Sequence, residues 1–70
     1  MCGLFGSVGL GDLPEEAILE ALRGRGPDDR GRWQAGPARL LHTRLAIQDL
    51  SPLGHQPMLS DNASLALVFN

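Results

Sequence analysis

One stretch of this chain has helical periodicity, and it is set among short apolar runs punctuated by glycine, proline and aspartate. Leu13, Ala17, Ile18, Ala21 and Leu22 fall on one helical face, while Glu15, Glu16, Glu20 and Arg23 point to water. Asp12 is read as the N-cap, with Glu15 at capping-box spacing and Pro14 tolerated in the first turn. Gly24 supplies a C-terminal stop. The spacing predicts a helix over residues 13–23.

The remaining runs are strand-like. Leu4, Phe5, Val8 and Leu10 read as a short buried strand, dotted with glycines that let other backbone come close. The segment GRGPDDRG, residues 24–31, must be a turn or loop. Residues 33–42 hold two short strands broken by Gly36-Pro37, and Leu41, Leu45 and Ile47 are inward positions of the alternating stretch 39–49. After a loop over residues 51–57, Asp61-Asn62 turns the chain into LALVFN, residues 65–70, an apolar run of the kind that sits inside a sheet. Ending on such a run leaves an unpaired edge. The sequence therefore reads as cut before its domain is complete, and dimers or larger species are expected.

Seventy residues bury only about 60% of their unfolded surface, so a core of this size is marginal without staples or partners. Cys2 is the only cysteine, which rules out an internal disulfide. One thiol and two histidines make a poor zinc site. A net charge of −2 gives no nucleic-acid or membrane-surface footprint, and no run approaches the ~20 apolar residues of a membrane helix. The free thiol and the lack of an export signal point to the cytoplasm.

Cys2 is the residue with most chemical content. Removal of Met1 would leave Cys2 first, with a thiol and a free α-amino group on one residue. The amine titrates near ~8 and the thiol near ~8.5, so proton exchange between them is nearly balanced at neutral pH. An N-terminal amine activating its own side chain is one form of nucleophilic catalysis. The competing reading is a small buried hydrophobe that happens to occupy position two.

The company Cys2 keeps favours the first reading. MCGLFG, then RGPDDRG, then HTRLAIQDLSPLGHQPM, then LVFN, resemble in order and spacing the glutamine-hydrolysing domain of asparagine synthetases. These are class II amidotransferases of the N-terminal-nucleophile (Ntn) hydrolase fold. The resemblance covers essentially all of residues 1–70, with the helix its least diagnostic part. It implies an α+β fold, part of an αββα sandwich of antiparallel sheets with one outer helix. The chain would be the N-terminal part of that domain, and the synthetase domain has no counterpart in it.

The resemblance also implies roles. Cys2 would attack the side-chain amide of L-glutamine, releasing ammonia and leaving a glutamyl thioester. Arg44 would hold the substrate's α-carboxylate, which a guanidinium fork matches bidentately. Leu45, Ala46, Ile47 and Gln48 would line the same pocket, with backbone carbonyls for the α-ammonium group. Asn70 would donate to the oxyanion hole, where one donor is worth about 3 kcal/mol of barrier. No cofactor is implied for this segment; ATP and Mg belong to the synthetase domain. The pattern departs from many relatives at Gly24 and Thr43, and the Gly and Glu that follow the asparagine in that family are not in this sequence.

Other clusters read as structural. Arg25, Asp28 and Asp29 suggest a loop-stabilising network of ion pairs and backbone caps. His42 and His55 are read the same way, since the family needs no histidine base. Two further readings stand beside the amidotransferase: a non-catalytic fragment that self-associates through unpaired strands, and a metal module built on Cys2, His42 and His55.

Overall fold

The computed structural model describes residues 2–9, 11–46 and 51–70. Strand β1 (Gly3–Val8) leads to helix α1 (Glu15–Leu22), then to strands β2 (Asp29–Ala35) and β3 (Ala38–Arg44). A 3-10 turn at Pro52–Gly54 and two short strands, β4 (Met58–Leu59) and β5 (Ala66–Leu67), complete the order. The class is α+β: among the described residues are a three-stranded antiparallel sheet in the order β1-β3-β2, a two-stranded ribbon β4-β5, and one α-helix.

Strand β3 is central. Its partners run from Gly3↔Thr43 to Val8↔Ala38 on one side and from Asp29↔Arg44 to Ala35↔Ala38 on the other. Gly36-Pro37 breaks the predicted strand pair as expected, with Gly36 at φ +54° ahead of a proline whose ring fixes φ negative. Both strands are longer than read from sequence, because β2 already begins at Asp29, inside the predicted loop.

Alternation along these strands gives the sheet two different faces. Gly3, Phe5 and Ser7 share one face with Leu41, Thr43, Arg30 and Arg32, and α1 lies over it. The core there is Leu19 and Leu41, both essentially buried. Thr43 Oγ1 donates to the Leu22 carbonyl at 3.0 Å, fastening the end of the helix to the central strand. The opposite face carries Leu4, Val8, Leu40, His42 and Arg44, and residues 51–70 cover only part of it.

This arrangement corrects several expectations. The helix starts at Glu15, with Pro14 at the capping position and no side-chain cap; Asp12 does not cap it. Its inward stripe is centred on Leu19, and Ala17 and Ala21 are exposed. Glu15 is drawn in among arginines, whereas Glu16 pairs with arginines but stays exposed to water as expected. Glu15 pairs with Arg39 at 3.3 Å and Arg32 at 3.4 Å, and Glu16 with Arg30 at 2.8 Å and Arg32 at 2.6 Å. Glu15 is thereby drawn onto the sheet and is not free to complete a capping box.

Leu4 and Val8 form a strand but are exposed at 44% and 77%, since the described residues form no covering layer over their face at that end. LALVFN is not inside a sheet. Only Ala66 and Leu67 pair, with β4, and Leu65, Leu67 and Phe69 are exposed. Leu45 is half-buried. Leu10 and Ile47 lie outside the described residues.

Candidate functional site

Three chain segments meet at the Arg44 end of the central strand. Cys2 lies immediately before β1, one position beyond the Gly3↔Thr43 pair. Its half-buried sulfur accepts a hydrogen bond from the Leu45 N–H at 3.4 Å. Its carbonyl accepts from Arg25 Nε at 3.3 Å. The backbone that leaves β3 is thus tied to the thiol, and the loop that precedes β2 is tied to the same residue.

Asp28 holds the other side of that backbone. Its N–H donates to the Arg44 carbonyl at 2.9 Å, and its Oδ2 accepts from the Ala46 N–H at 2.8 Å. Asp29 follows, opposite Arg44 in the β2–β3 register. One oxygen of Asp29 accepts from the Arg30 N–H at 2.8 Å, and the other meets His55 Nδ1 at 2.6 Å. The predicted capping role of the two aspartates is what the geometry contains; Arg25 makes its contact with Cys2, not with them.

Arg44 is the buried charge of the site, 8% exposed. Its guanidinium donates to the Ser51 carbonyl at 2.7 Å and lies close against Gly54, where a side chain would collide with it. A cleft of about 440 Å³ opens beside it, lined by Asp28, Asp29, Arg44, Ala46 and Pro52. That volume is in the range of small-molecule pockets. The lining sets one guanidinium against two carboxylates, so both signs of charge face one small space.

Electrostatics follow from these contacts. Burial works to raise the Asp29 carboxyl, but hydrogen bonds from His55 and the Arg30 N–H, with the nearby charges of His55 and Arg44, outweigh it and hold Asp29 below its ordinary value. Asp29 is therefore a carboxylate at neutral pH. Burial holds the His42 imidazole below its ordinary value, against the pull of the Phe69 carbonyl 3.2 Å from its Nε2. His42 is thus a neutral donor to the backbone.

The structure joins Cys2 to Leu45 by a hydrogen bond and places Arg44 and Ala46 in the lining of the cleft, to which neither Cys2 nor Leu45 belongs. Ile47 and Gln48 lie outside the described residues. Asn70 is exposed and does not line the cleft; it follows Phe69, whose N–H donates to Gln56 Oε1 at 2.8 Å. Among the described residues no cluster of His, Cys, Asp and Glu could hold a metal ion, and His42 and His55 bond to Phe69 and Asp29. Nor is any helix among them long and apolar enough to cross a membrane. Sequence reasoning missed Ser51, Gly54 and the Asp29–His55 pair. The nearest signal was the glycine-bearing stretch SPLGHQP itself.

Comparison with known proteins gives this geometry a family context. Residues 1–70 match the family described as the glutamine amidotransferase domain. The chain is 45% identical over 78 aligned positions to a probable glutamine-hydrolysing asparagine synthetase of Dictyostelium discoideum, covering 100% of this chain and 14% of that protein. It is 34% identical over 76 positions to glutamine-hydrolysing asparagine synthetase 1 of Arabidopsis thaliana, covering 100% of this chain and 13% of that protein. It is also 42% identical over 57 residues to the amidase chry2 of Gibberella zeae, covering 79% of this chain and 8% of that protein. The chain thus spans about a tenth of the length of these curated relatives. No solved structure gives a significant match.

Proposed function

The chain belongs to the glutamine amidotransferase domain family along its whole length, and from that membership we propose that it carries the nucleophile and the carboxylate anchor of a glutamine-hydrolysing site. The observation that carries the reading is the linkage of Cys2 to the strand end that presents Arg44. The sulfur is bonded to the Leu45 N–H, next in sequence to the buried guanidinium.

In this mechanism Met1 is removed and the α-amine of Cys2 takes the thiol proton. The thiolate attacks the side-chain carbonyl carbon of L-glutamine, whose α-carboxylate is held by Arg44. The tetrahedral oxyanion collapses, the amine returns the proton to the leaving nitrogen, and ammonia departs. Water then adds to the thioester, the C–S bond breaks, and L-glutamate leaves with the thiol restored. The Leu45 N–H stabilises negative charge on sulfur at the start and end of the cycle. Backbone of Leu45, Ala46, Ile47 and Gln48 lines the substrate pocket in this reading. Asn70 serves as an oxyanion donor in this reading on the strength of its motif alone, since it is exposed and lies outside the cleft.

The finer fold belongs to the same proposal. The α1 layer over the three-stranded sheet is one helix–sheet portion of an αββα sandwich, and 1–70 is the N-terminal part of that domain. The ammonia acceptor is the activated carboxylate of a separate synthetase site, which would use ATP and Mg; this segment uses no cofactor. Aspartate is the acceptor if the chain follows its asparagine synthetase relatives. The proposed location is the cytoplasm.

The test is ammonia release from glutamine by the chain and by its Cys2→Ala variant. Release that requires Cys2 is expected, and equal rates in both would overturn the reading. A second reading has its own observation: Leu4, Val8, Leu65, Leu67 and Phe69 leave apolar surface open. It takes the chain as a non-catalytic module that self-associates. Glutamine-insensitive Cys2 together with dimers in sedimentation would favour it.

A further inference from the structure

The turn over residues 51–56 has no chemistry of its own, yet it touches the site at three points. Its Ser51 carbonyl accepts from Arg44 at 2.7 Å. Its Gly54 lies against the same guanidinium so closely that a methyl there would strike it. The turn is fastened to β2 at the Asp29–His55 pair, 2.6 Å, and at Gly31, onto which the Gln56 carbonyl is seated without room for a side chain. Asp29 is also the register partner of Arg44 and shares its cleft.

These contacts form a chain of cause. A buried guanidinium needs acceptors, and the Ser51 carbonyl is available only while the turn is docked. Docking rests on a 2.6 Å hydrogen bond between His55 and a carboxylate that stays ionised, since its partners hold Asp29 below the ordinary carboxylate range. The same bond engages one Asp29 oxygen with His55, and the Arg30 N–H engages the other, which orients the carboxylate beside Arg44.

We propose that Asp29 and His55 are positioning residues: their hydrogen bond latches the 51–56 turn to β2 and thereby fixes the Arg44 guanidinium in the orientation that receives an α-carboxylate. The latch itself stands on this geometry, and its service to glutamine rests on the reading given under Proposed function.

Two measurements separate the latch from that reading. In the isotope-labelled chain, hydrogen exchange of the Arg44 Nε–H reports how firmly the guanidinium is held, with no ligand present. His55→Ala and Asp29→Asn are each expected to speed that exchange at least tenfold, and the double variant no more than either single. Asp29→Glu should recover part of the protection. The backbone amide of Leu41, deep in β3, should keep its protection, which shows that the fold survives. Unchanged Arg44 exchange in both single variants overturns the latch.

The second measurement is the protection of Cys2 from alkylation by iodoacetamide, with glutamine and with glutamine α-amide, which lacks the carboxylate. Wild type is expected to be protected by glutamine at least tenfold more effectively than by the α-amide, and His55→Ala is expected to lose that ratio. No glutamine protection in wild type refutes the glutamine reading while leaving the exchange result to decide the latch. A ratio unchanged in His55→Ala refutes the coupling of the latch to carboxylate recognition.

Discussion

Gly31→Ala is the substitution on which the architecture of the site can be judged. A methyl at position 31 would land on the Gln56 carbonyl oxygen, with the Gln56 carbonyl carbon at 2.8 Å and His55 Cε1 at 3.1 Å. Backbone, unlike the tip of a flexible side chain, cannot turn aside, so residues 55–56 must retreat. Overpacking of this kind costs about 1–3 kcal/mol. Retreat also strains the His55–Asp29 bond at 2.6 Å and the Phe69–Gln56 bond at 2.8 Å, and each lost bond costs about 1 kcal/mol. Alanine in a strand regains roughly 0.5–1 kcal/mol over glycine. The net is about 2–4.5 kcal/mol, a large part of the roughly 4–10 kcal/mol expected of a chain this size. Urea unfolding reads it directly: with a slope of about 1 kcal/mol per molar, the midpoint should fall by at least about 2 M. Gly24→Ala is the control, because a methyl there meets open space, and its midpoint should hold or rise slightly. A Gly31→Ala midpoint equal to wild type would refute the docking of the turn on β2.

Three other outcomes are expected. Leu19→Ala should lower unfolding stability by about 2–5 kcal/mol, whereas Ala21→Ser, on the exposed side of α1, should stay within about 0.5 kcal/mol; chemical denaturation distinguishes the inward stripe. Ala63 sits at φ +57° in the turn between β4 and β5, so Ala63→Gly should stabilise by about 1 kcal/mol, seen as a raised thermal midpoint. His42 gives a pH signature. Its folded value is lowered by burial, so the unfolded chain binds the extra proton, and stability should fall as pH drops through the ordinary 6.5. His42→Gln should flatten the curve of unfolding free energy between pH 7 and pH 5.5. The loss from Asp29, also lowered, comes separately as pH falls through and below its ordinary 3.8.

What the sequence conveyed depended on the range of each interaction. The Gly36-Pro37 hairpin is local, since φ preferences of two neighbouring residues decide it, and it was legible. The existence of α1 was legible from periodicity, but its rotation was not. The pattern assumes that Glu15 faces water, whereas Arg32 and Arg39 on the sheet pair with it and the helix presents Leu19 inward. Cys2 and Arg44 stood out because each sits in a short motif with its own chemistry. Ser51 did not, because it contributes a backbone carbonyl, which every residue has. Only the docking of residues 51–56 makes that carbonyl particular. LALVFN misled for a related reason: an apolar run indicates that something covers it, and the described residues cover only part of it.

The central strand explains why anchor and stability are tied together here. Leu41, His42, Thr43 and Arg44 are consecutive and buried, on both faces of the sheet. Leu41 and Thr43 hold the helix from one side, while His42 and Arg44 hold residues 51–69 from the other. An arginine at the end of such a strand cannot relax by swinging into water, because its neighbours fix the backbone and Gly54 closes against its side chain. Its hydrogen bond to the Ser51 carbonyl holds it at the edge of the cleft. A rigid, dry cation holds an entering carboxylate far better than a solvated one, since little ordering remains to be done on binding. For the carboxylate recognition proposed for Arg44, the tight local geometry is therefore a condition, and any change that lets the guanidinium reach solvent should weaken that recognition before it unfolds the sheet.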